Sequence, residues 1–166
     1  LGGGIAMCFA KAGFRGTLGD QDQDGIDRGM NIIRKNYDIS AQRGRLSTDQ
    51  VSSFLSNLNA TTDWQMLKEA DLIIEAVFEN LELKQQVFKQ LDDICDPHTI
   101  LASNTSYQSI DALAAVTNRP QRVVGMHFFS PANVMRLLEV VRGNASNDAT
   151  LQTAMSVGKR IGKVSV

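Results

Sequence analysis

His127 lies in "GMHFFSP", at the end of an apolar stretch, and Glu139 follows 12 residues later in "MRLLEVV". Two strands joined through Ser130 to Asn133 would bring these side chains within hydrogen-bond reach. A carboxylate on one imidazole nitrogen fixes the tautomer and stabilises the protonated ring. His127 so paired could take and return a proton near neutral pH. The plainer alternative is a core histidine satisfied by backbone. The other histidine, His98, falls in the turn "DPHT" and is expected to be solvated.

A second set of residues points to a nucleotide. The chain opens "LGGGIAMCFAKAGF", three glycines running into an apolar helix. Glycines after a strand let backbone approach a pyrophosphate, and the helix N-terminus behind them offers free N–H groups and a partial positive charge. Gly2 can stand as the third glycine of a GxGxxG turn. Asp20 then falls 18 residues later, near the spacing of ~20 at which an acid receives the adenosine ribose hydroxyls. The alternatives are a flexible glycine end and a solvated strand-end carboxylate. In "IIEAVFENLELK" a strand gives way to a helix, with Ala76, Glu79 and Lys84 at the junction. Glu79 suits a helix N-terminus without any ligand, and Lys84 could be an exposed cation paired with a nearby acid. In "ASNTSYQSI" the run Ser103, Asn104, Thr105 and Ser106 leaves a strand. Such groups can bind a nicotinamide or a substrate oxygen, or cap the next helix. Without a GxSxG elbow or a nearby base, Ser106 is not read as a nucleophile.

The elements that must hold these residues alternate between helix and strand. A helix over "GGGIAMCFAKAG" is followed by a short strand, "FRGTLGD", ending at Asp20. Ile26, Met30, Ile33 and Tyr37 recur at helical spacing, and Ser47 with Gln50 forms a capping box opening another helix. These two helices read as an antiparallel pair. Beyond them "ADLIIEAV", "TILASNTS", "RVVGMHFF" and "RLLEVVRG" read as strands, the first buried on both faces. "NLELKQQVFKQLDDIC", "IDALAAVT" and "DATLQTAMSVGKRIG" read as helices, and "KVSV" as a strand cut short. This alternation predicts an α/β, Rossmann-like, doubly wound, mostly parallel sheet with a projecting helical pair. Its ligand edge is at the carboxyl ends of the strands.

Composition narrows the classes. With 43% apolar and 21% charged residues, the chain has the balance of a globular domain. Its net charge of −1 gives no footing for a nucleic acid or a membrane surface. No apolar run approaches the ~20 residues of a membrane span. Cys8 and Cys95, far apart, suggest neither a disulfide framework nor a metal site, and a reducing compartment is the expectation.

Taken together, "GGGIAMCFAKAGF", "IIEAVFENLELKQQVF", "LASNTS" and "GMHFFSPANVMRLLEVV" resemble the NAD-binding domain of L-3-hydroxyacyl-CoA dehydrogenases. The resemblance spans residues 1–166, and "HFFSPANVMRLLEVV" looks most like the bifunctional enoyl-CoA hydratase/3-hydroxyacyl-CoA dehydrogenases of fatty-acid β-oxidation. It implies NAD as cofactor and an acyl-CoA substrate, with no metal. His127 would be the base that takes the 3-hydroxyl proton, Glu139 its support, and Ser106 a contact to substrate oxygen and nicotinamide. Gly2, Asp20, Ala76, Glu79, Lys84 and Ser130 would line the cofactor site. Ser130 stands where monofunctional members have Asn. The helical pair would be the family's CoA-contacting arm, with Arg43 in "QRGRL" near a CoA phosphate, or else a solvated helix-end charge. The resemblance implies an upstream enoyl-CoA hydratase domain, a C-terminal helical domain and a homo-oligomer as partners. It implies a bacterial cytoplasmic setting, with peroxisome or mitochondrion as the alternative.

The same resemblance makes the chain look like a fragment, lacking the first strand, the first two fingerprint glycines and the helical domain. Such a chain is expected to fold poorly alone, because the neighbours of a central strand would keep unpaired backbone groups. Three other readings stay open. One is a related short-chain hydroxyacyl-CoA or hydroxy-acid dehydrogenase, and another a non-catalytic nucleotide-binding module. The third is an NADP enzyme, which the charge of Asp20 opposes.

Overall fold

The computed structural model describes residues 2–166, arranged as two compact units. The first comprises the residues up to Asp63 together with Pro131–Val134, and the second comprises Trp64–Ser130 with Met135–Val166.

In the first unit, α1 (Gly2–Lys11) leads into β1 (Gly16–Gly19), then α2 (Gln23–Gln42), α3 (Thr48–Ser56) and β2 (Leu58–Thr61). The expected helical pair is present. Asp22 caps α2 by accepting from Gly25 N, and Ser47 and Gln50 form the capping box of α3. Between the two helices Gly44 turns the chain at φ +69°, a conformation without steric cost only for glycine. β2 was not anticipated. "LNAT" is too short and polar to signal a strand, yet it pairs with β1 in parallel, Gly16 opposite Leu58. Met7 and Ala10 of α1, Ile33 and Tyr37 of α2, and Leu58 form the apolar core of this unit.

In the second unit five strands lie side by side in chain order. They are β3 (Leu72–Glu75), β4 (Ile100–Ser103), β5 (Val123–Phe128), β6 (Leu137–Val141) and β7 (Val164–Ser165). β3, β4 and β5 are mutually parallel, β6 runs antiparallel to β5, and β7 is parallel to β6. The connections carry α4 (Leu81–Ile94), α5 (Ile110–Ala114) and α6 (Asp148–Arg160). Val87, Phe88 and Leu91 of α4 pack with Leu101, Leu113 and Val123 into its core. β4 is buried along its whole length, as a central parallel strand must be.

One expectation needs correction. β3 is not buried throughout: it is an edge strand of its sheet, so Leu72, Ile73 and Ile74 are half-buried. Its one fully buried residue is an acid, Glu75, 3% exposed. The strands are hydrogen-bonded as two sheets, one of two strands and one of five, within the expected α/β Rossmann-like class.

Arg119 explains how the end of α4 is finished. Its Nε pairs with Asp92 at 2.7 Å, and its other nitrogens donate to the carbonyls of Asp92, Cys95, Asp96 and Thr99. A buried guanidinium there meets carbonyls that a helix end leaves without intrahelical partners. The arrangement is architectural.

Candidate active site

The carboxyl ends of β3, β4 and β5 in the second unit carry most of the residues singled out above. At the β5–β6 ladder His127 stands directly opposite Glu139. Directly opposed side chains of an antiparallel pair share one face of the sheet. The imidazole Nδ1 lies 3.1 Å from Glu139 Oε1. An ionised carboxylate only accepts, so Nδ1 carries the proton and Nε2 is left as the basic nitrogen. The His127 side chain is 20% exposed and that of Glu139 46%, so the pair is open to a reactant. The ring of Phe129 lies against the imidazole, centroids 4.5 Å apart, and restricts its rotation. A basic nitrogen held in one tautomer at a strand end can abstract and return a proton.

At the ends of β3 and β4 lies a network that the sequence reading did not anticipate. Glu75, hidden in what reads as an apolar run, accepts from Ser103 Oγ at 2.6 Å through one oxygen. Its other oxygen accepts from Lys84 Nζ at 2.6 Å and from Val77 N at 2.9 Å. Lys84 is 1% exposed and also donates to the Val77 carbonyl. Lys84 is therefore a buried cation at the strand end, not the exposed one of the alternative reading. A helical signal could have found this pair: Lys84 lies on the same face of α4 as Val87, Phe88 and Leu91. A lysine there requires a buried partner.

The run from Ser103 to Ser106 divides in two. Ser103, Asn104 and Thr105 are buried and bonded internally, and Ser106 alone is exposed. Asn104 Oδ1 accepts from Phe128 N at 2.7 Å, tying β4 to the end of β5. None of the four caps the following helix, because Ser109 does so. Glu79 does not cap α4 either, and Asn80 takes that place. The Glu79 carboxylate instead receives the Thr105 hydroxyl, and its other oxygen lies 3.5 Å from Ser106 N. Ala76 follows β3 half-buried, and Ser130 is exposed after β5. His98 is a surface residue 3.3 Å from Asp71. A groove along α6, lined by Leu151, Met155, Lys159 and Lys163, shares no residue with this edge.

In the first unit Gly2 is the first residue of α1, and Asp20 follows β1. Asp20 Oδ1 accepts from Gln21 N at 2.6 Å and from Asp22 N at 3.4 Å. A Cβ on Gly25 would stand 2.2 Å from Asp20 Oδ2, so the carboxylate occupies space that only a glycine at α2 leaves open. That hollow fits an acid presented to a polar ligand. Arg43, the residue that ends α2, is exposed. Among the described residues no group of three or more His, Cys, Asp and Glu is placed to hold a metal ion. Both cysteines are buried and neither is in a disulfide, and burial pushes the Cys95 thiol up from its ordinary range.

Comparison with known proteins places this arrangement. The model of the 3-hydroxyacyl-CoA dehydrogenase NAD binding domain matches residues 1–166. The chain is 41% identical over 166 residues to a probable 3-hydroxybutyryl-CoA dehydrogenase of Bacillus subtilis, covering all of this chain and 58% of that protein. It is 45% identical over 166 residues to the peroxisomal bifunctional enzyme of Danio rerio, covering all of this chain and 22% of that protein. The crystal structure of (S)-3-hydroxybutyryl-CoA dehydrogenase from Ralstonia eutropha superposes with a TM-score of 0.97 at 36% identity, over 99% of this chain and 58% of that one. The chain thus spans little more than half the length of the dehydrogenases it resembles, and less than a quarter of the bifunctional enzyme. By the match along its whole length, it belongs to the 3-hydroxyacyl-CoA dehydrogenase NAD-binding domain family.

Proposed function

We propose that the protein carrying this chain oxidises L-3-hydroxyacyl-CoA to 3-oxoacyl-CoA with NAD, in fatty-acid β-oxidation. The observation that carries the reading is the His127–Glu139 pair, register partners 3.1 Å apart at a strand end of a family member. NAD, when bound, supplies the hydride acceptor. His127 Nε2 takes the proton of the 3-hydroxyl as the C3 hydride departs, and returns it when the reaction runs backward. Glu139 holds Nδ1–H and offsets the positive charge that then develops on the ring. Ser106, exposed beside Glu79, hydrogen-bonds the substrate oxygen on the nicotinamide side.

Asp20 accepts the adenosine ribose hydroxyls, and its charge disfavours a 2′-phosphate. Gly2 opens the helix whose first N–H groups face the pyrophosphate. Ala76, Glu79 and Ser130 line the cofactor side, while Lys84 acts from within by fixing Glu75 and the β3 end. Arg43 meets a phosphate of CoA. The bifunctional relative, of which this chain covers 22%, supports further domains in the full-length protein. The domains proposed are an enoyl-CoA hydratase and a C-terminal helical domain. The setting proposed is the bacterial cytoplasm, a Bacillus subtilis relative supporting only the bacterial source, and the name of the Danio rerio relative supports the peroxisomal alternative.

The test follows NADH oxidation by the full-length protein on adding acetoacetyl-CoA, with and without His127→Gln. Turnover that collapses in the variant supports the reading. A well-folded protein that binds NADH without turnover overturns it. Equal turnover of free acetoacetate would remove the CoA requirement, and a preference for NADPH would remove the role given to Asp20.

A further inference from the structure

The proposed reaction uses Ser106 and Glu79 but leaves the residue between them in space unassigned. Thr105 is 5% exposed, which keeps it from direct contact with a reactant. Its hydroxyl is nonetheless the joint of the site. It donates to Glu79 Oε1, on the loop after β3, and accepts Gln108 N at 2.9 Å, in the turn after β4. Its own N–H donates to Ser103 Oγ at 3.2 Å, and Ser103 Oγ donates to the buried Glu75. The other oxygen of Glu79 faces Ser106 N at 3.5 Å. One carboxylate is thus gripped at both oxygens by consecutive residues of the neighbouring loop.

We propose that Thr105 is a positioning residue: its hydroxyl holds the Glu79 carboxylate against the turn that presents Ser106, so that cofactor-side and substrate-side groups keep one fixed spacing. The inference rests on the function proposed above. Without the hydroxyl, Glu79 has one fewer donor and rotates toward water, and its carboxylate keeps only the 3.5 Å contact to Ser106 N. A methyl group in the same place fills the same volume and makes no such bond. The consequence therefore belongs to the hydrogen bond and not to packing.

The experiment uses the full-length protein with Thr105→Val, Thr105→Ser, Glu79→Gln and the Thr105→Val/Glu79→Gln double variant. NADH binding is read by fluorescence titration, turnover with acetoacetyl-CoA by absorbance, and thermal unfolding in parallel. A hydrogen bond to a charged group lost in this way weakens binding by about tenfold or more. Thr105→Val should show that loss in the NADH Kd, with the KM for acetoacetyl-CoA within about twofold of the parent. Thr105→Ser, which keeps the hydroxyl, should recover to within about threefold. In the double variant the two losses should be markedly less than additive.

An unchanged NADH Kd in Thr105→Val overturns the proposal. So does a serine variant as impaired as the valine one, or full additivity in the double variant. If the parent protein itself binds no NADH, the functional reading falls and takes this inference with it. If the parent binds and turns over while Thr105→Val matches it, only the role of Thr105 falls.

Discussion

Replacing Glu139 by glutamine isolates the electrostatic part of the His127–Glu139 pair. The amide keeps the shape of the side chain and an oxygen for Nδ1–H, and removes only the charge. At 3.1 Å and an effective dielectric of about 20, opposite unit charges attract by roughly 5 kcal/mol. The Glu139 side chain is 46% exposed, so solvent screening takes most of that away. A net of about 1.5 kcal/mol fits a partly exposed, charge-assisted bond. That corresponds to roughly a tenfold loss of kcat. Removing the base itself by His127→Gln should cost far more, on the order of 10²–10⁴-fold. Because Glu139 acts only through His127, the double variant should be no slower than His127→Gln alone. Steady-state rates of NADH oxidation with saturating acetoacetyl-CoA measure all three. A Glu139→Gln rate within twofold of the parent refutes the electrostatic argument, and a double variant slower by the full product of the two losses refutes the claim that the residues act as one unit.

Tyr37 is 3% exposed, and its hydroxyl has no hydrogen-bond partner among the described residues. Burial, helped by nearby Cys8, pushes its pKa up from 10.0 to about 12. The raised value means that stability is complete below pH 10 and is lost as the pH climbs through 12. The loss is about 3 kcal/mol for two pKa units. Tyr37→Phe should abolish that slope and leave stability at neutral pH equal or higher, as urea denaturation at pH 7 and pH 11 would show. Lys84→Met leaves Glu75 buried without its cation and should destabilise by about 3–5 kcal/mol. Adding Glu75→Gln should recover part of that loss in the same denaturation assay. Gly25→Ala puts a methyl 2.2 Å from Asp20 Oδ2 and must displace the carboxylate. It should raise the KM for NADH several-fold while leaving the KM for acetoacetyl-CoA unchanged, and equal shifts in both would count against Asp20 as the ribose acid.

The sequence by itself determined the order of the α-helices and of every strand but β2, because periodicity and caps are local. Ser47 with Gln50 announced α3, and the apolar face of "NLELKQQVFKQLDDIC" announced α4. It also placed His127 and Glu139 on adjoining strands, since an acid and an imidazole flanking a short connection have few other ways to meet. Tertiary structure alone decided that these two face each other in register, and that "LNAT" is a strand, because pairing energy comes from a partner elsewhere in the chain. It alone joined Glu75 to Lys84, although the apolar face of α4 already marks Lys84 as an inward residue. A charged residue in an apolar run looks exposed until something distant supplies its counter-ion. The same holds for Thr105, whose hydroxyl acquires a purpose only when the β3 loop brings Glu79 to it. Backbone propensity is written residue by residue, but the satisfaction of a buried polar group depends on which strand ends the fold sets side by side.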